Sequence, residues 1–261
     1  MSTETFITLE DRGALAVVRL ERPAKRNALT RAMLERLAEL FQSFGARTDL
    51  RAVILTGAGR EAFCAGTDIA ELAALDEEGA RLASERGQRV CDLVESCPVP
   101  VVAAVNGVAS GGGFELALAC HLRVASSGAR FSLPETRLGL LPAYGGTQRL
   151  PRLVGEARAH ALTLGAQELT AGEALAAGLV NRVVEPTEVL GAAEELAGEI
   201  ARGAPLAVRA CLEAVTRGAR LTLAEGLALE TELFTRLFAT RDAREGTRAF
   251  LEKRPPVFRG E

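Results

Sequence analysis

Apolar and polar positions follow two different periods along this chain. Up to roughly residue 150, short apolar runs alternate with amphipathic stretches; beyond that, almost everything has helical spacing. TFITLE and LAVVRL flank Asp11-Arg12-Gly13 and predict a hairpin of strands. Thr30 opens a helix whose apolar positions Leu34, Leu37, Ala38, Phe41 and Phe44 recur at the helical period, with Gly45 at its end. RAVILTG predicts a buried strand, AGREAFCAGTD a loop, and the polar stretch from Ile69 to Ser96 one helix. CPVPVVAAVNG predicts another buried strand; Gly111, Gly112 and Gly113 follow and open a helix, and HLRVAS is a further strand.

Alternating strands and helices predict an α/β architecture with buried, largely parallel strands. In the C-terminal part, Thr170 with Glu173 and Thr222 with Glu225 have capping-box spacing. Pro205 sits at a first helical position, Gly178 and Gly218 at helix ends, and the last helix stops before Pro255 and Pro256. VVEPTE, around Pro186, divides the chain into a region 1–186 and a helical region 187–261.

Composition narrows the partners. The 261 residues are 48% hydrophobic and 25% charged, ample for one large core, with a net charge of −3 and basic residues scattered rather than in a stripe. With 4% aromatic residues and no Trp, neither an electrostatic footprint nor a stacking platform for nucleic acid is present. Five irregularly spaced cysteines without a C-x-x-C pair predict reduced thiols in a cytoplasmic protein, with no zinc site. The N-terminus lacks a signal peptide's basic and apolar regions, and no run of about 18 apolar residues predicts a membrane span.

Asn106–Cys120, NGVASGGGFELALAC, holds the strongest chemical signal. Glycines before a helix start expose backbone N–H groups at a positive dipole end, a surface for a phosphate, a carboxylate or a developing oxyanion. G-x-G-x-x-G is absent from this segment and G-x-x-x-x-G-K-[ST] from the whole chain, which removes the dinucleotide and P-loop readings. Ser110 lies outside a G-x-S-x-G elbow, and the two histidines, His121 and His160, read as structural or surface residues. They are too sparse for a metal site. Carboxylates remain. Gly112 and Glu115 share one side of a first helical turn, and Glu135 follows in the proline-flanked turn FSLPET. Two acids beside an oxyanion-binding backbone suit proton transfer at the carbons next to a thioester, although an acid in a first turn is also a favourable dipole partner.

At these residues the chain resembles the crotonase superfamily, specifically the enoyl-CoA hydratase/isomerase family. RPAKRNAL resembles the family's CoA-adenine turn, AFCAGTDI and AAVNGVASGGGFELALAC its two oxyanion-hole segments, and FSLPETRLGLLPAYGGTQRLPRLVG its second catalytic segment. LTAGEALAAGLVNRVV and REGTRAFLEKRPPVFRGE match as well, so the resemblance runs from about residue 6 to the end. It implies a crotonase-like spiral of repeated β-β-α units with a C-terminal helical region that forms trimers, often paired into hexamers. It implies CoA adenine near Ala24, Lys25 and Ala28, and pantetheine past Ala65, Gly66, Asp68 and Ile69. By the same resemblance the thioester oxygen meets the backbone N–H groups of Thr67 and Gly112, and Phe250 and Lys253 either help hold CoA across a subunit contact or are plain surface residues.

Hydratases of this family resemble one another in keeping two acids, which match Glu115 and Glu135. The pair implies hydration of a trans-2-enoyl-CoA to the 3-hydroxyacyl-CoA, with no cofactor beyond the CoA of the substrate. Isomerisation of a 3-enoyl-CoA, thioester hydrolysis and mere acyl-CoA binding are the competing readings; FLEKRPP resembles hydratases of branched amino-acid breakdown, including methylglutaconyl-CoA hydratase. Four residues depart from the family's commonest pattern. Thr67 stands where alanine is frequent, His121 where aspartate is frequent, and Ala143-Tyr144 where smaller residues are common, which sets Tyr144, the single tyrosine, beside the acyl pocket.

Overall fold

The computed structural model describes residues 6–261; the expectations that fall on residues 1–5, among them the start of the first strand run, lie outside them. β1 (Ile7–Arg12) and β2 (Leu15–Leu20) form the antiparallel hairpin. α1 (Arg31–Phe44) begins where Thr30 Oγ1 accepts the Met33 N–H at 3.2 Å. Then come β3 (Ala52–Gly57), β4 (Ala62–Cys64), α2 (Ile69–Ala73) and α3 (Glu77–Glu95). β5 (Val101–Val105), β6 (Val108–Ser110), α4 (Gly112–Ala119), β7 (Leu122–Ser126) and β8 (Arg130–Ser132) follow. After a 3-10 turn at Glu135–Leu138 lie α5 (Gly146–Val154), α6 (Glu156–Leu164), β9 (Glu168–Thr170), α7 (Ala171–Ala176) and β10 (Arg182–Val184). α8 (Val189–Ala201), α9 (Pro205–Gly218), α10 (Leu223–Phe238) and α11 (Arg241–Leu251) complete the chain.

The strands form two sheets, ordered β1-β2-β3-β5-β7-β10 and β4-β6-β8-β9. Each β-β-α turn adds one parallel strand to each sheet, β3 with β4, β5 with β6, β7 with β8, before its helices. That is the expected crotonase-like spiral. Continuous apolar runs are needed because both faces of the larger sheet are covered. Val53 and Leu55 of β3, with Val101, Ala103 and Val105 of β5, face a core shared with α1, α3 and α4. Ala52, Ile54, Val102 and Ala104 face the other way, onto Val189, Ala193 and Ala197 of α8.

Three expectations need correction. AGREAFCAGTD contains β4: Ala62, Phe63 and Cys64 are buried and pair with β6, a strand too short for its own period to show. The polar helix is two helices, because Asp76 Oδ1 accepts the Gly79 N–H at 2.7 Å and starts α3 afresh. The part beyond residue 150 also holds β9 and β10, whose partners β8 and β7 lie far away in sequence. Both predicted capping boxes are present, and Pro205 is at N1 of α9.

Candidate active site

Residues from four successive segments converge here. Thr67 lies just after β4, and a bridge to Leu29 pins its segment against the RPAKRNAL turn: Leu29 N–H donates to the Gly66 carbonyl at 2.7 Å and Asp68 N–H to the Leu29 carbonyl at 2.8 Å. Asn27, wholly buried, holds that turn shut. Its Oδ1 accepts the Arg22 N–H at 3.0 Å, and its Nδ2 donates to the carbonyls of Ala58 and Ala62, each at 2.9 Å. Sequence reasoning passed over Asn27, though its left-handed backbone, φ 58°, is a conformation asparagine tolerates.

The three glycines have three separate causes. Gly111 has φ 50°, and a Cβ there would come within 2.8 Å of Glu135 Oε1. A Cβ on Gly112 would meet the Tyr144 ring at 2.8 and 2.9 Å, and one on Gly113 the Cys64 carbonyl oxygen at 2.2 Å. Gly66 faces the same helix start: a Cβ there would sit 3.0 Å from the Ser110 carbonyl oxygen and 3.6 Å from the Gly112 nitrogen. Among the described residues, neither the Thr67 nor the Gly112 N–H donates to any protein acceptor. Two free backbone donors therefore lie side by side at the start of α4, where the helix dipole is positive.

Glu115, in the first turn of α4, is 2% exposed. Its Oε1 accepts the N–H groups of Tyr144 at 2.8 Å and Gly146 at 2.7 Å. Burial, helped by the Glu135 charge, pushes its carboxyl up to about 7 despite those hydrogen bonds. Glu135 heads the 3-10 turn after Pro134; burial raises its carboxyl too, and its Oε2 is buried with no partner among the described residues. A buried, unpaired carboxylate oxygen is costly, and it marks a place where a polar ligand atom would be held.

Tyr144 is 4% exposed and lies flush between Gly112 and Gly87 of α3, where a Cβ would meet its ring at 2.0 Å. Thr67 Oγ1 donates to the phenol oxygen at 3.0 Å. Burial keeps the phenol protonated, pushed up to about 12.

The remaining candidates divide into two groups. Ala24, Lys25 and Ala28 ring the first turn, the first two exposed, and Ala65, Gly66, Asp68 and Ile69 continue from it. Asp68 is already engaged: its Oδ1 accepts the Ala70 and Glu71 N–H groups at the start of α2, and its Oδ2 pairs with Arg22 at 3.0 Å. Arg22 also donates to the Ala28 carbonyl at 2.7 Å, so one guanidinium ties the two segments together. Phe250 and Lys253 are exposed at the end of α11, and no described hydrogen bond of theirs reaches the other candidates. His121 is structural. Its Nδ1 accepts the Val101 N–H at 2.9 Å, its Nε2 lies 3.1 Å from the Glu95 carbonyl, and burial lowers its proton affinity.

Two acids and two free N–H groups, carried on adjacent turns of a β-β-α spiral, are the groups that an α/β enzyme working by acid–base chemistry beside a developing oxyanion would need. Residues 10–261 match the family model described as enoyl-CoA hydratase/isomerase, and the chain belongs to that family. It is 43% identical over 248 residues to the short-chain-enoyl-CoA hydratase of Clostridium acetobutylicum, spanning 95% of each chain. With the crotonyl-CoA hydratase of Syntrophomonas wolfei it shares 42% identity over 252 residues, 97% of each. The crystal structure of an enoyl-CoA hydratase from Bacillus anthracis superposes with a TM-score of 0.96 at 40% identity, covering 98% of this chain and 100% of that one.

Proposed function

We propose that Glu115 and Glu135 together add water across the double bond of a trans-2-enoyl-CoA. The chain is an enoyl-CoA hydratase, a hydro-lyase. The observation that carries the residue assignment is the pair of carboxyls whose proton affinity burial raises, Glu115 and Glu135, beside the free N–H groups of Thr67 and Gly112.

The thioester oxygen accepts from Thr67 and Gly112, so the negative charge that develops on it during attack at C3 is met by fixed dipoles; losing one such donor costs roughly 3–4 kcal/mol. Water lies between the carboxyls. Glu115 takes a proton from it as its oxygen bonds to C3, and Glu135 governs the proton that reaches C2. Two such acids titrate as a unit, so the pair carries the chemistry. Tyr144 walls the acyl pocket. CoA lies with its adenine at Ala24, Lys25 and Ala28 and its pantetheine along Ala65, Gly66, Asp68 and Ile69. Phe250 and Lys253 reach a CoA across a contact between copies, the region 187–261 building a trimer or a pair of trimers. No cofactor beyond the substrate's own CoA takes part. No helix of the described residues is long and apolar enough to cross a membrane, and the cytoplasm is the proposed compartment.

The test is turnover of crotonyl-CoA, followed by loss of the conjugated enoyl-thioester absorbance, for wild type, Glu115→Gln and Glu135→Gln. Loss of kcat by roughly two orders of magnitude or more in both variants supports the two-acid hydratase. Full activity in either variant rejects its glutamate. A 3-enoyl-CoA turned over by Glu115→Gln with undiminished rate would instead favour isomerisation through Glu135.

A further inference from the structure

Arg149, on the first turns of α5, touches neither acid, yet it grips the peptide between the two N–H groups that hold Glu115. Its Nη1 donates to the Tyr144 carbonyl at 3.0 Å, while the Tyr144 and Gly146 N–H groups on either side donate to Glu115 Oε1. The guanidinium reaches this carbonyl by crossing directly over Gly145. That residue has φ 106°, and a Cβ on it would lie 2.3 Å from Arg149 Nη1. The rest of the fork is fixed from α3: Nη2 bonds Asp92 at 2.6 Å and Glu95 at 2.9 Å, and Nε bonds Glu95 at 3.1 Å. Glu95 is itself bonded to Arg220, just after α9, at 2.7 Å.

We infer that Arg149 is a positioning residue for Glu115, fixing the orientation and protonation of that acid through the Tyr144–Gly146 turn. The inference rests on Glu115 being an acid–base group of the hydration. Two physical effects operate. Arginine's planar fork satisfies α3 and the turn at once, so the two donors are held where a single Glu115 oxygen accepts both. Its positive charge also opposes the burial that raises Glu115. The other groups facing Glu115 are Glu135, whose charge raises it, the Tyr144 phenol and the buried Cys91 thiol of α3, both held protonated by burial. Arg149 is thus the cation among the groups around this acid, and its removal shifts the balance toward the protonated form.

Arg149→Met keeps much of the side chain's bulk and removes both charge and donors; Arg149→Lys keeps the charge and loses the fork. Both are compared with wild type in kcat and KM for crotonyl-CoA from about pH 5 to about pH 10. In Arg149→Met, kcat falls about tenfold or more with KM changed far less, as expected for a displaced acid, and the limb of the pH profile due to Glu115 moves up by roughly one unit. Arg149→Lys returns the limb to its wild-type position without restoring kcat. A folded Arg149→Met with wild-type kcat and an unmoved limb overturns the inference. If Arg149→Met does not fold, Arg149→Lys decides: wild-type kcat there overturns it, and lowered kcat on an unmoved limb supports it. A second readout is independent of turnover: the Glu115 titration by 13C-carboxyl glutamate NMR, its signal identified by its loss in Glu115→Gln. An unchanged midpoint in Arg149→Met overturns the inference; a wild type that hydrates no enoyl-CoA overturns the hydratase reading alone.

Discussion

Thr67 Oγ1 donates to the Tyr144 phenol at 3.0 Å, joining two residues that lie 77 positions apart in the sequence. The two side chains act as one unit. Tyr144 fits because Gly87 and Gly112 leave room for its ring, and its hydroxyl is satisfied because position 67 carries an oxygen rather than a methyl. Thr67 keeps its backbone N–H free while its side chain anchors the Tyr144 phenol.

Tyr144→Ala is therefore expected to widen acyl selection. Relative to crotonyl-CoA, kcat/KM for a twelve-carbon enoyl-CoA rises by roughly tenfold, since a pocket discriminates by which extra methylenes it admits. Thr67→Ala, which frees the phenol but leaves the ring, gives a smaller change. An unaltered ratio in Tyr144→Ala, with crotonyl-CoA turnover intact, would remove Tyr144 from the acyl wall.

Stability should depend on pH through Glu115. In the unfolded chain this carboxyl titrates near 4.5, whereas the folded protein holds its proton up to about 7. The folded state binds more protons in that window, so the contribution is fully present below about 4.5 and is lost as pH rises through 7. Its size is on the order of 3 kcal/mol. Glu115→Gln abolishes the difference while its oxygen still accepts from Tyr144 and Gly146. At pH 8, guanidinium unfolding should find the variant more stable than wild type by up to about 3 kcal/mol, with the gap closing toward pH 5. Parallel curves at both pH values contradict this.

Glycines within helices should respond with opposite signs. Gly113→Ala drives a methyl against the Cys64 carbonyl, which belongs to backbone and cannot swing aside, so a loss of about 1–3 kcal/mol is expected. Gly198→Ala, in α8, meets nothing within 4 Å and should gain about 0.5–1 kcal/mol. Thermal unfolding of both variants checks the contrast, and equal shifts would refute it.

The capping boxes offer a local test. Thr222 Oγ1 accepts the Glu225 N–H while the Glu225 side chain accepts the Thr222 N–H at 2.9 Å, which starts α10. Thr222→Ala should cost about 1 kcal/mol without altering crotonyl-CoA turnover per folded molecule. A larger loss of turnover would tie α10 to the site.

Much of the fold is legible in local pattern. Thr30, Thr170, Thr222 and Pro205 start helices where the sequence places them, because a cap needs only residues a few positions apart. The four-stranded sheet is not legible. β4, β6, β8 and β9 have three residues each, too few for a period, and exist because their partners arrive from other turns of the spiral.

The same division runs through the site. The sequence by itself determined the ingredients: an acid in the first turn of a glycine-led helix, a second acid in a proline turn, and small residues where backbones must approach. Spacing of 20 residues between Glu115 and Glu135 says nothing of how near they lie, and nothing of which donors face them. Only the tertiary structure decided that each glycine of the triplet clears a different neighbour, that Thr67 and Tyr144 are one pair, and that Glu115 is gripped by the turn Arg149 holds. The physical reason is that burial and charge at a carboxyl are summed over everything around it, and in this chain those surroundings come from α3, α4, α5 and the turns between them.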